Sequence, residues 1–342
     1  MRYLVQPTPH RTVPDLNSTR SILLLLGLAI FPVLAIAIAL ALGSADISIE
    51  QTWQAILGNA PDSVSNIVID LRLPRALTAF AIGGLLAVAG VLMQVLLRNP
   101  LAEPYILGSS GGAAVAALLG MTLGWGAIGV DLAAFGGAIG ATLLVFSIAK
   151  GTGSWTPARL LLTGVVLAAG FSAVTTLLLA LSPDKELRGM LFWLMGDLSF
   201  AATPGRSLWL LAAITILGTL AARHLNVLAR GDLQAAIVGL PVSAFRLIIF
   251  AVTALATAVS VTAVGVIGFV GLVVPHMMRL LVGSDHRIVL PASALAGGTL
   301  LIVADTLART VMAPRQLPVG ALTATLGVPL FLILMRRTSR SN

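Results

Sequence analysis

The chain alternates between apolar windows of about 20 residues and short polar turns, and this rhythm runs along almost its whole length. A window of that size matches the roughly 30 Å hydrocarbon core of a bilayer. The pattern predicts helices near residues 21–42, 76–97, 105–123, 130–149, 159–181, 205–222, 245–263, 265–281, 288–309 and 318–335, about ten in all. The uncharged run from Leu247 to Met278 is too long for one crossing at about 1.5 Å per residue, so a bend is expected near Val264 and Gly265. Residues 1–20 are polar, and the apolar run after them lacks a small-residue cleavage pattern, so a retained first helix is expected.

Composition makes this reading firm. The 342 residues are 58% hydrophobic and only 10% charged, which excludes a water-soluble domain of ordinary type. The expected fold is therefore an all-α membrane protein, with 1–20 an N-terminal segment, 21–337 a polytopic transmembrane domain and 338–342 a tail. About two thirds of the 21 Lys and Arg residues fall on the same side as the N-terminus, among them Arg98, Lys150, Arg223, Arg230, Arg246 and Arg279. Both termini are accordingly expected in the cytoplasm. The net charge of +8 follows from that topology, lipid is the implied environment, and no aromatic-interleaved basic patch suggests nucleic acid. There is no cysteine, and the four histidines are dispersed, so no metal-ligand cluster and no cofactor on this chain are expected; His276 is read as structural.

The turn LLRNPLAEPYILGSSGGAAVAALLG (Leu96–Gly120) shows how the windows are punctuated. Pro100 and Pro104 stop one helix and start the next, with Asn99 and Glu103 at the wet boundary. The small residues after Leu107 suit close helix packing. A phosphate cradle is the rival reading of GSSGG, but Lys150 and Lys185 both follow non-glycine residues, so no GxxxxGK[ST] motif exists.

Three long segments carry a family resemblance: LRLPRALTAFAIGGLLAVAGVLMQVLLRNPLAEPYILGSSGGA (Leu71–Ala113), GFVGLVVPHMMRLLVGSDHRIVLPASALAGGTLLIVADTLAR (Gly268–Arg309) and LPVGALTATLGVPLFLILMRR (Leu317–Arg337). In this order they resemble the FecCD-type permeases, the membrane subunits of ABC importers for iron-siderophores, haem and vitamin B12. The resemblance implies a ten-helix type II importer permease that pairs with a second permease, identical or related. It also implies two cytoplasmic ATPase subunits and an extracytoplasmic binding protein as partners. Catalysis is then expected elsewhere, since the chain lacks a nucleotide motif of its own. Ferric siderophore is the first expected cargo, by frequency within the family, with haem or cobalamin as alternatives.

The same resemblance implies site residues. The polar loop Arg223–Arg246 looks like the family's coupling element, with Gly231, Ala235, Gly239, Leu240 and Pro241 matching and Asp232 where an acid is expected; an ordinary amphipathic connector is the alternative. Arg72, Arg75 and Arg309 match positions that meet acidic residues of the binding protein, and an exposed Arg fork suits that task. Equally, Arg72 and Arg75 can anchor a helix end at the headgroups, and Arg309 can pair with Asp305 four residues earlier. Met93 and Gln94 match a segment near the translocation path, though a lone Met on an apolar helix usually packs. The turn Gly153–Arg159 falls where the family places its inner gate, and Thr156 and Pro157 are the candidates there.

Two other classes fit less well. A secondary transporter driven by an ion gradient usually carries ionisable groups near the bilayer midplane, and the predicted helices hold almost none away from their ends. An intramembrane enzyme needs a nucleophile or metal constellation that this sequence does not supply.

Overall fold

A computed structural model of the chain describes residues 18–339 apart from 44, 46, 152–155 and 200–203. Among the described residues the architecture is helical: α1 (Ser18–Ala41), α2 (Ile49–Ile56), α3 (Asp62–Ser65), α4 (Leu73–Leu97), α5 (Ser109–Thr122), α6 (Ala127–Lys150), α7 (Pro157–Leu181), α8 (Asp184–Met195), α9 (Pro204–Leu220), α10 (Ala222–Ala229), α11 (Asp232–Ile237), α12 (Val242–Val264), α13 (Val270–Val282), α14 (His286–Thr310) and α15 (Val319–Ser339). Six are long and apolar enough to cross a bilayer, a seventh results if α9 and α10, bent by 66°, are taken together, and α5, α13 and α15 are shorter apolar helices.

Helix α4 is the axis of the molecule. Its residues from Ala81 to Leu97 are buried without interruption, and α9, α12, α13 and α14 pack around it. Such burial inside lipid requires close backbones, since lipid tails are as apolar as leucine and only packing distinguishes a helix neighbour from solvent. Gly83 supplies this against Gly297 of α14, where a methyl would collide with the facing carbonyl; Gly90 does the same against Gly271 of α13. Gly83→Val is therefore expected to force α4 and α14 apart at a cost of roughly 1–3 kcal/mol or more. It should appear as a lower unfolding temperature and loss of monodisperse protein in detergent.

The helix through α4 begins earlier than the sequence pattern predicts. It runs continuously from Asp62 to Leu97, with a π-helical section at Asn66–Arg72. The wider π turn directly precedes Pro74, so the ring, which would clash in a regular helix, is taken up without a break.

The expected bend near Val264 and Gly265 is a true interruption. Helix α12 ends at Val264, Gly265 adopts φ +72°, and α13 starts only at Val270. The gap is tied to two other chain breaks. The Asp197 N–H donates to Val264 O at 2.8 Å, and the Val319 N–H at the start of α15 donates to Gly196 O at 3.2 Å. Nearby, the Phe269 N–H donates to Glu103 Oε1 at 3.0 Å. Irregular backbone is tolerated at membrane depth only where protein pairs its polar groups, and these bonds do so.

In contrast to α4, α7 buries only Leu160 and Gly164, and about half of the described side chains of α1 and α15 are exposed.

Candidate functional site

The loop Arg223–Arg246 folds as α10, a turn at Gly231, α11 and the entry to α12. Gly231 has φ +125°, which turns the chain sharply enough for Asp232 to open α11 as its first residue. From there the Asp232 carboxylate reaches Arg246 on α12 at 3.0 Å and Arg98 at the end of α4 at 3.9 Å. The acid thus anchors α11 to two transmembrane helices and also complements the positive end of its own helix. Ala235 is fully buried against the body of the protein.

The other end of α11 closes with a Schellman motif. The Leu240 N–H donates to Ala235 O at 3.0 Å and the Gly239 N–H to Ala236 O at 2.9 Å, with Gly239 at φ +86°. A side chain at Gly239 would strain that turn, so glycine is required by the backbone. Leu240 folds inward against the core.

Of the matched residues, Gly231, Asp232, Ala235, Gly239 and Leu240 therefore hold α11 in place, and the outward face is made of other residues. Leu233, Ile237 and Val238 are exposed by 76%, 77% and 72%. Three large apolar side chains on one polar loop form an uncovered patch of the kind that marks a contact with another protein. The i, i+4 spacing of Leu233 and Ile237 is legible in the sequence as one helical face, with Val238 following at the end of α11.

At the opposite ends of the helices lies an ionic cluster. Arg75 grips Asp305 with its Nε at 3.0 and 3.1 Å from the two carboxylate oxygens and its Nη2 at 2.8 Å from Oδ1. Arg309 holds the same carboxylate at 3.2 Å and donates to Ala39 O. Arg72 donates to Leu40 O at 2.7 Å, satisfying a carbonyl at the end of α1, and to Ala45 O in the segment after it at 2.9 Å. An exposed fork suits docking, but Arg72 and Arg309 are only 5% and 6% exposed, because α1 lies over both, and the pair Arg309–Asp305 is present. Arg75 is less buried than these two, and on its outer side Nη1 donates to Gln316 Oε1 at 3.3 Å and to Ser199 Oγ at 3.4 Å. Ser199 in turn sits 2.6 Å from Asp197 Oδ1.

The expected path residues occupy two different settings. Met93 is fully buried within the core around α4, so its place in this chain is a packing one. Gln94 is 4% exposed; its amide donates to Leu272 O at 3.4 Å and its Oε1 accepts from Arg279. In the turn before α7, where the resemblance places an inner gate, Thr156 caps the helix by accepting from the Arg159 N–H at 3.3 Å, with Pro157 as the first helical residue. Gly153, Ser154 and Trp155 lie outside the described residues.

Residues 30–337 match the FecCD transport family. The chain belongs to that family. Among relatives, it is 39% identical over 329 residues to the haemin transport system permease protein HmuU of Yersinia pestis, covering 90% of this chain and 96% of the relative. It is 38% identical over 322 residues to the vitamin B12 import system permease protein BtuC of Escherichia coli, covering 92% and 95%. A structure solved as an inward-facing conformation of a metal-chelate type ABC transporter superposes with a TM-score of 0.80 at 29% identity, covering 92% of this chain and 99% of that one. The PsaBC structure from Streptococcus pneumoniae, at 19% identity and a TM-score of 0.57, shares the fold. As a FecCD-family chain with several long apolar helices, this is a multi-pass protein of the bacterial inner membrane and a transport subunit.

Proposed function

We propose that this FecCD-family chain is the permease of an ATP-driven importer for a metal chelate, ferric siderophore being the first candidate cargo. The observation that carries the reading is α11, a short helix fixed at both ends whose exposed face is apolar. A separate ATPase docking on Leu233, Ile237 and Val238 would push on α4 and α12 through Asp232, Arg98 and Arg246. Both termini and this loop then face the cytoplasm, in line with the arginine bias of that side.

On the outer side, the binding protein docks through acidic residues. Of the three candidate arginines, Arg75 is the least buried, so an incoming carboxylate would reach it by replacing Gln316 and Ser199 at Nη1, while Asp305, shared with Arg309, holds the rest of the fork. The largely unburied α7 supports pairing with a second permease, with the cargo passing between the two; whether the pair is identical or related leaves this mechanism unchanged. No step needs covalent chemistry on this chain. Haem or cobalamin is a second reading of the cargo, favoured by the haemin and vitamin B12 systems named among the relatives.

Competition decides the cargo: proteoliposomes holding the complete complex are offered a labelled ferric siderophore with excess unlabelled haem or cobalamin. Siderophore uptake that neither competitor reduces is expected, and strong inhibition by haem or cobalamin would assign the cargo to the tetrapyrroles. Gly239→Ala tests the coupling element separately. Straining the φ +86° turn should loosen α11 by about 1 kcal/mol, or roughly fivefold weaker ATPase binding by titration.

A further inference from the structure

At the arginine-rich end of the helix bundle, a cavity of about 630 Å³ lies between the end of α4, α10 and the junction of α13 with α14. Arg98, Arg230 and Arg279 all line it, from three separate elements, together with Asn226, Ser284 and His286. Arg98, Arg230 and Ser284 are exposed, so the cavity reaches the surface. One carboxylate, Asp285, also lines it, but its Oδ1 is occupied: it accepts from Asn226 Nδ2 at 2.8 Å and from the Arg287 N–H at 3.0 Å as the cap of α14. Three guanidiniums against one lining carboxylate, with Asp232 lying 3.9 Å from Arg98, leave the cavity net positive.

Two further features set this cavity apart from an ordinary basic surface. Arg98 takes a left-handed backbone conformation, φ +48°, at a position where glycine is the usual occupant; a long side chain is kept there despite the strain. His286 is 4% exposed, and its Nε2 has no partner. The surrounding bonds fix its tautomer. Asn226 Nδ2 donates to Asp285, so Asn226 Oδ1, 2.6 Å from His286 Nδ1, must accept, and Nδ1 carries the proton. In the neutral ring, Nε2 is then a buried acceptor waiting for a donor.

We propose that this cavity binds a phosphate group that carries or adjoins a hydroxyl, the phosphate oxygens held by Arg98, Arg230 and Arg279 and the hydroxyl donating to His286 Nε2. Guanidinium forks match phosphate oxygens with paired hydrogen bonds, and an anion that also offers an O–H satisfies the unpartnered His286 Nε2. Two sources share this chemistry: a phosphatidylglycerol headgroup from the adjacent leaflet, and free inorganic phosphate in its protonated forms. Because Arg98 Nη2 stands only 3.9 Å from Asp232, the bound anion would share an arginine with α11. The inference concerns binding to this chain alone and does not rest on the transport reading.

The test uses the full chain purified in neutral detergent. Native mass spectrometry counts adducts with phosphatidylglycerol and with phosphatidylcholine, and equilibrium dialysis measures labelled inorganic phosphate. The proposal expects phosphatidylglycerol to be retained over phosphatidylcholine, or inorganic phosphate to bind at one site per chain. In either arm Arg98→Gln/Arg230→Gln should weaken binding roughly tenfold. Arg230→Gln alone, at an exposed residue, guards against a folding defect in the double variant and should show a smaller loss. Equal retention of the two lipids with no phosphate binding, or unchanged binding in the double variant, overturns it. So does absence of both ligands combined with weakened ATPase association in Arg230→Gln, a residue outside the anchoring of α11, which would give the cavity to an acidic side chain of that partner.

Discussion

Leu233→Asp/Ile237→Asp is expected to abolish ATP-dependent transport while leaving the permease folded. Both side chains are more than three-quarters exposed, so the isolated protein loses no packing when they become charged. In a complex they would be covered, and burying a Leu or Ile contributes about 1.5–3 kcal/mol. Replacing both forfeits that and leaves two carboxylates without partners in the contact, enough for a drop of at least about a hundredfold in ATPase affinity. Co-purification of the ATPase with the permease reads this directly. An unchanged unfolding temperature together with lost association is the expected pair of results, and normal association would remove α11 from the coupling account.

The second large effect is expected at the opposite face. Asp305→Asn leaves Arg75 and Arg309 without their shared counter-charge, in a cluster where Arg309 and Arg72 are almost fully buried. Removing one partner of a buried pair typically costs 3–5 kcal/mol, because the remaining charge cannot be hydrated. The variant should unfold at a markedly lower temperature in detergent. The double variant Asp305→Asn/Arg309→Gln should recover part of the loss, since one stranded charge goes with the carboxylate. A single variant as stable as the wild type would show that the cluster is hydrated and that these arginines are not held as described.

Much of the helical layout is legible in the sequence, because an apolar window of bilayer length has few alternatives to a helix. The interruption after Val264 is legible for the same reason, from length alone. Helix α8 is not: twelve residues beginning Asp-Lys-Glu fall short of a span, and nothing local says that the chain turns back at Gly196 to bond Val319. The loop Arg223–Arg246 is found from its matched residues, of which Gly231, Asp232, Ala235, Gly239 and Leu240 fix α11, while its exposed apolar side chains are Leu233, Ile237 and Val238. Among the arginines, the pair Asp305–Arg309 is readable from its i, i+4 spacing. The partner of Arg75 is 230 positions away, and the burial of Arg72 depends on where α1 ends. Spacing along a chain reports faces of one helix; it carries no information about which helix comes to lie against that face.

The central claim, that this FecCD-family chain moves its cargo by ATP hydrolysis on a partner, is tested most directly by uptake into proteoliposomes. The complex of permease, cognate ATPase and binding protein is offered a labelled metal chelate, with ATP sealed inside or withheld, and with or without an imposed proton or sodium gradient. Uptake that requires ATP and the binding protein and ignores the gradient is the predicted result. Uptake by the permease alone, driven by the gradient without ATP, would contradict it.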